Sequence, residues 1–247
     1  MLNDFPWQRL TEFGALSEVE LALLQQAVGP PIRHDRQGVI REQGAPPECI
    51  YLLQEGWACS AVTLPGGERQ LIKIHLPGDF MGVPSLCLTE SADCLYALTP
   101  VVVRKLPVEK LGTLFTAVPD FAARVYVIAQ RERIALMDRL SALGAKRAAG
   151  RLAALLIELH ERLSQIGQVR DGEFILRLTQ DEIGDYLGLT AVHVNRTFRH
   201  LEEGGLIKRR LQRIAILQHD ALADLGGYVS RAIDPRSIDL FRQAGAR

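Results

Sequence analysis

The 247-residue chain has no apolar run of 18 residues, so no segment qualifies by composition as a membrane-spanning helix. Its opening stretch, MLNDFPWQRL, lacks the apolar core of a signal peptide and any lipidation motif, and the expected location is the cytoplasm. Cysteine is scarce. Cys49, Cys59, Cys87 and Cys94 form no C-x-x-C pair and no zinc or iron–sulfur spacing, and a cytosolic chain keeps such thiols reduced. G-x-S-x-G, H-E-x-x-H, P-loop and dinucleotide-binding fingerprints are absent, and the six histidines are scattered over different segments. No catalytic residue and no metal site is assigned, and an enzyme is not expected. The formal net charge of zero argues against a general nucleic-acid coat.

That neutrality is unevenly divided. Residues 141–217 hold 12 Lys and Arg against 9 Asp and Glu, a net of +3, whereas residues 1–140 hold 13 against 16, a net of −3. The basic excess accompanies LTQDEIGDYLGLTAVHVNRTFRHLEEGGLI, residues 178–207, which contains two helix-sized patterns pivoting on Gly188-Leu189-Thr190. Thr179 is placed to cap the first, with Asp181 and Glu182 in its positive N-terminal turn and Ile183 and Leu187 one turn apart. Thr190 is placed to cap the second, whose Val194, Phe198 and Leu201 share one apolar face. Ala191, Val192, His193, Asn195, Arg196 and Arg199 are left for the other side, where donors can meet phosphates or base edges. After Gly204 and Gly205, which stop that helix, Lys208 to Ile216 reads as a basic turn and an alternating strand, the pattern of a wing.

Residues 178–216 resemble the DNA-binding domain of the Crp/Fnr superfamily of bacterial transcription regulators, on Leu178-Thr179, Ile183-Gly184, Leu187-Gly188, Val194, Arg196, Leu201-Glu202 and Gly205-Leu206-Ile207. The resemblance implies a homodimer on an inverted repeat in double-stranded promoter DNA, with RNA polymerase as a further partner. It makes Arg196 the base-contacting arginine, with Ala191, Val192, His193 and Asn195 beside it on the DNA side, puts Thr190 and Arg199 near phosphates, and counts Thr179 and Lys208 among the DNA contacts. A ligand-sensing or scaffold module that binds no DNA is the alternative.

The N-terminal part fits this expectation. After a short helical lead-in, period-two segments recur at 38–40, 49–54, 56–64, 70–76, 79–82, 94–98 and 101–106 between turn signals, as in a sandwich or barrel. Leu76-Pro77-Gly78-Asp79-Phe80-Met81-Gly82 resembles a stretch of the cyclic-nucleotide-binding β-roll, one residue shorter between Leu and Gly. From Pro119 a long helix carries Phe121, Val125, Ile128, Ala129, Leu136, Leu140 and Leu143, an apolar stripe suited to packing on its own roll or to self-association. The expected architecture is α+β. It comprises an antiparallel β-roll over 1–118, a dimerisation helix over 119–143, a hinge at Gly144, a winged helix-turn-helix over 144–217 and an extension over 218–247. Leu222, Leu225, Tyr228, Ile233, Ile238, Leu240 and Phe241 suit that extension to a terminal helix.

The effector pocket implied by the resemblance lies at Gly78, Asp79, Gly82, Val83, Asp93 and Cys94. In the nucleotide-responsive relatives a Glu holds the ribose and an Arg clamps the phosphate, and here Val83 and Asp93 stand at those places. A carboxylate facing a phosphate is repulsive, so cAMP in the usual mode is not expected. No cysteine precedes Cys49, so the N-terminal iron–sulfur cluster of the oxygen sensors is not expected either. Haem is left open, with His75 and Cys87 flanking the loop, and Cys59 and Cys94 read as thiol sensors or as small buried hydrophobes.

Overall fold

Short alternating segments separated by glycine and proline can bury one face each only by pairing into sheets, and the N-terminal half does so. The computed structural model describes residues 7–231 and 234–238, which fall into two units: one within 1–63, 74–135 and 232–247, the other within 64–73 and 136–231.

The first unit opens with α1 (Gln8–Thr11) and α2 (Glu18–Ala27). Ser17 caps α2, its Oγ accepting from the Glu20 amide at 3.2 Å while the Glu20 carboxylate accepts from the Ser17 amide at 2.6 Å. Eight strands follow in chain order, with residues 69–73 of β5 belonging to the second unit: β1 (Pro31–His34), β2 (Val39–Arg41), β3 (Cys49–Glu55), β4 (Ala58–Thr63), β5 (Arg69–His75), β6 (Phe80–Met81), β7 (Cys94–Ala97) and β8 (Val101–Pro107). They make two four-stranded sheets, ordered β1-β8-β3-β6 and β2-β7-β4-β5, with antiparallel pairing such as Ile50 opposite Leu106 and Ala58 opposite Ala97. Tyr51, Leu53, Met81, Leu95 and Val103 meet in one apolar cluster. Trp7, Leu24, Leu52, Phe80 and Leu106 form another, shared with Leu111 and Leu114 of α3 (Val108–Ala117) and Phe121, Val125 and Ile128 at the start of α4 (Pro119–Ala145). Arg124 is buried beside them and is held by carbonyls, donating to Gly14 at 2.8 Å, to Ala15 at 3.3 Å and to Leu10.

Helix α4 runs from Pro119 to Ala145, straight through Gly144. The expected hinge residue Gly144 therefore does not end α4; the helix stops at Ala145, and Lys146-Arg147 precede α5 (Ala148–Gln165). A lone glycine lowers helix stability by only about 1 kcal/mol, too little to stop a helix already 25 residues long at that point. The apolar stripe also divides. Phe121, Val125 and Ile128 are core, whereas Ile134, Leu136, Met137, Leu140 and Leu143 are exposed.

The second unit is built on α5, whose Leu152, Leu156 and Leu159 are fully buried. Packed on it are α6 (Gln180–Leu187), α7 (Ala191–Glu203) and α8 (His219–Gly226), and a three-stranded sheet ordered β10 (Ile207–Arg210), β11 (Arg213–Ile216), β9 (Glu173–Ile175). Arg139 of α4 is a charged residue between the apolar Leu136 and Leu140. Its guanidinium stacks 3.6 Å from the Tyr186 ring centroid and donates to the Leu71 carbonyl at 2.8 Å and to the carbonyls of Ile72 and Tyr186. The C-terminal segment is not one terminal helix. Helix α8 buries Leu222 but leaves Leu225 exposed, and Ile238, in a 3₁₀ turn over Pro235–Ile238, is buried in the first unit's core. Gly227, in the left-handed conformation at φ 48°, ends α8 and separates the two pieces. Ile233, Leu240 and Phe241 lie outside the described residues.

Candidate nucleic-acid interface

Two capped helices meeting at a tight corner define the exposed face of the second unit. Thr179 Oγ1 accepts from the Glu182 amide at 3.1 Å, and the Glu182 carboxylate accepts from the Thr179 amide at 2.7 Å, so both orphan donors at the start of α6 are satisfied. Gly188 ends α6 in the left-handed conformation, φ 66°. The corner closes against Gly184, where a Cβ would lie 2.4 Å from the Leu189 carbonyl oxygen, a space only glycine leaves free. Thr190 then caps α7, accepting from the His193 amide at 3.3 Å.

Val194, Thr197, Phe198 and Leu201 of α7 are buried, while Val192, His193, Arg196, Arg199 and His200 are exposed and Ala191 and Asn195 are half-buried. Arg196, Arg199 and Lys208 make no ion pair among the described residues, so their donors are available to an incoming anion. Both capping hydroxyls accept with oxygen lone pairs and keep a proton to donate. Asn195 is partly committed: its Oδ1 lies 3.5 Å from Arg209 Nη2. Arg209 was not foreseen as a brace. Its guanidinium lies 4.7 Å from the Phe198 ring centroid and 3.5 Å from the Glu202 carboxylate, and its amide donates to Glu202 at 3.2 Å, which ties β10 to α7. Strand β9 was likewise unforeseen; Gly172 followed by Phe174 and Leu176 as alternate buried residues was its available signal.

In the first unit the six expected pocket residues do not form one group. Gly78 is a turn residue whose amide donates to Leu53, and Asp79 is buried, accepting from the Leu76 amide at 3.0 Å and pairing with Arg9 Nε at 3.1 Å. Gly82, Asp93 and half-buried Cys94 lie instead around Arg41, with Ser85 on the 3₁₀ turn Val83–Cys87; Val83 packs toward the core. Neither Arg41 nor Ser85 was singled out by the sequence.

The His75 ring is buried, and its Nε2 is 2.9 Å from Ser60 Oγ. Among the described residues no three His, Cys, Asp or Glu side chains are grouped to hold a metal ion. Cys59 is wholly buried, and burial, followed by the Glu42 charge, pushes the Cys94 thiol up, away from the thiolate that a reactive cysteine needs. No single helix among the described residues is long and apolar enough to cross a membrane.

Comparison with known proteins agrees with this geometry. Residues 150–225 match the Crp-like helix-turn-helix domain, and residues 32–117 match the cyclic nucleotide-binding domain. The fumarate and nitrate reduction regulatory protein of Salmonella typhi is 30% identical over 179 residues, 72% of this chain and 71% of that one. The transcriptional regulatory protein btr of Bordetella pertussis is 27% identical over 211 residues, 85% of this chain and 87% of its own. The solved structure of FixK2 from Bradyrhizobium japonicum superimposes with a TM-score of 0.72 at 25% identity, covering 82% of this chain and 98% of that one.

Proposed function

Because the chain belongs to the Crp/Fnr superfamily and is a DNA-binding transcription regulator rather than an enzyme, we propose that two copies pair and read an inverted repeat in promoter DNA. The observation that carries this reading is α7, capped at Thr190, with Arg196 and Arg199 exposed and unpaired on the face opposite Val194, Phe198 and Leu201. In the major groove its N-terminal half meets the bases. Arg196 pairs with a guanine through two hydrogen bonds, an interaction of about 1–3 kcal/mol, while Ala191 and Val192 offer apolar contact to a thymine methyl. His193 and Asn195 supply further polar contacts, the latter on release from Arg209. Thr179, Thr190, Arg199 and Lys208 hold the backbone.

The exposed residues Ile134, Met137 and Leu140 of α4 support pairing through that half of the helix, which sets two copies of α7 about one helical turn, roughly 34 Å, apart. On this reading residues 1–118 are the sensory domain, 119–143 the dimer helix and 144–217 the DNA reader. The extension 218–247 covers the reader, and RNA polymerase is the partner at the promoter. Cyclic AMP is not the roll's effector in the usual mode, since Val83 and Asp93 replace its two partners.

Selection of sites from random DNA tests the reading. Wild type should return an inverted repeat, Arg196→Ala should lose one guanine per half-site, and Arg199→Ala should weaken all sequences alike. An unaltered consensus from Arg196→Ala would assign base reading to another residue.

A further inference from the structure

The roll carries an anion of its own. Between Val39 and Arg41 the pairing of β2 with β7 shifts register, so that Ile40 and Arg41, which a regular strand would turn to opposite faces, are both buried. The Arg41 side chain retains 4% of its exposure. From there Nη2 donates to the Asp93 carbonyl at 3.0 Å, to Ser85 Oγ at 3.4 Å and to the Asp93 carboxylate. Ser85 Oγ donates to the same carboxylate oxygen at 3.1 Å and accepts from the Ala92 amide at 3.3 Å. Gly82, at φ +84°, leaves room for the guanidinium, because a Cβ there would stand 2.7 Å from Arg41 Nη1. Nε and Nη1 have no hydrogen-bond partner among the described residues.

A guanidinium this deeply buried requires a negative charge beside it. We infer that Asp93 is a built-in ligand: its carboxylate occupies an anion subsite formed by Arg41 and Ser85, and this closes the cassette to external anions. The sequence at position 93 thus does more than repel a phosphate. It supplies, from within the chain, the charge that Arg41 needs, and the roll reaches its folded arrangement without an anionic effector. The subsite itself is general for a small carboxylate or phosphate-class anion and is hidden only by the Asp93 side chain. None of this depends on how α7 reads DNA.

Formate, which matches the carboxylate removed by Asp93→Ala, is the probe. Thermal melts of the full chain are compared in chloride and in formate at equal ionic strength. Asp93→Ala should melt about 6–12 °C below wild type in chloride and recover saturably in formate. Wild type should be indifferent to formate, and so should Asp93→Asn, which fills the space without the charge. Arg41→Met combined with Asp93→Ala should melt above Asp93→Ala alone and ignore formate, since no charge is left unpaired. Equal stabilisation of wild type by formate, an Asp93→Ala protein that melts like wild type, or rescue that survives Arg41→Met would each overturn the inference. Should Asp93→Ala fail to fold, Asp93→Asn poses the same question, because its loss of melting temperature must vanish in the Arg41→Met background.

Discussion

Adding one methyl group at Gly184 or at Gly112 should move stability in opposite directions, although both glycines lie inside helices. At Gly112 in α3 a Cβ meets nothing within 4 Å, so alanine adds only its better helix propensity and its lower unfolded-state entropy. The gain is up to about 1 kcal/mol, or about 1–4 °C for a chain of this size. At Gly184 the same Cβ would stand 2.4 Å from the Leu189 oxygen, so the carbonyl must retreat at least 0.6 Å to reach even the 3.0 Å that real contacts respect. Leu189 cannot retreat alone. Its amide donates to Gly184 at 3.0 Å, and the next residue, Thr190, caps α7, so a shift drags the start of α7 with it. Overpacking of this kind costs about 1–3 kcal/mol, and the propensity gain offsets about 1 of it. The net cost of up to about 2 kcal/mol should lower the melting temperature of Gly184→Ala by up to roughly 8 °C and weaken specific DNA binding, while Gly112→Ala leaves DNA binding unchanged. Calorimetry and fluorescence anisotropy on the two variants decide the matter; an equal rise in melting temperature for both would refute the steric reading of the corner.

Dimerisation through the bare half of α4 predicts that Leu140→Glu, with a charge at a 60% exposed apolar position, leaves the isolated fold intact but yields a one-chain species in sedimentation. A two-chain species from that variant would remove α4 as the interface. The second unit should also lose stability in mild acid. Burial first, then the His219 charge, holds His160 below its ordinary value of 6.5, with Glu161 opposing. The unfolded chain therefore takes up its proton first, and stability present above about pH 6.5 is lost as the pH falls below it. Melts from about pH 7.5 to 5.5 should show that slope, and His160→Gln should flatten it. A slope identical in the variant would assign the titration elsewhere.

Local rules made the second unit legible. Caps, a left-handed glycine and an i, i+4, i+7 stripe act over a few residues, and Thr179, Gly188, Thr190 and Val194 stand where those rules put them. The α4 stripe was visible too, but hydrophobicity alone does not say which partner covers it, and so Val125 and Leu140 looked alike in the sequence while one is buried and the other bare. Least legible was the cassette. Arg41 and Asp93 are 52 residues apart and meet only because a register shift between β2 and β7 turns a strand residue inward. No periodicity announces a bulge of that kind, and in a regular strand position 41 would point to solvent. Asp79, conversely, sat in a recognisable stretch but is occupied by the Leu76 amide and Arg9.

The burial of Ile238 in the same core as Trp7 has a mechanical consequence. The chain is anchored near both of its ends in one unit, and the other unit is strung on an excursion between the two anchors. Tension applied across those anchors is borne by the sheets and helices of the first unit. The helices of the other unit carry no load until the first one ruptures. A single-molecule pull on residues beside Trp7 and Ile238 would thus record the first unit yielding before α7 is disturbed.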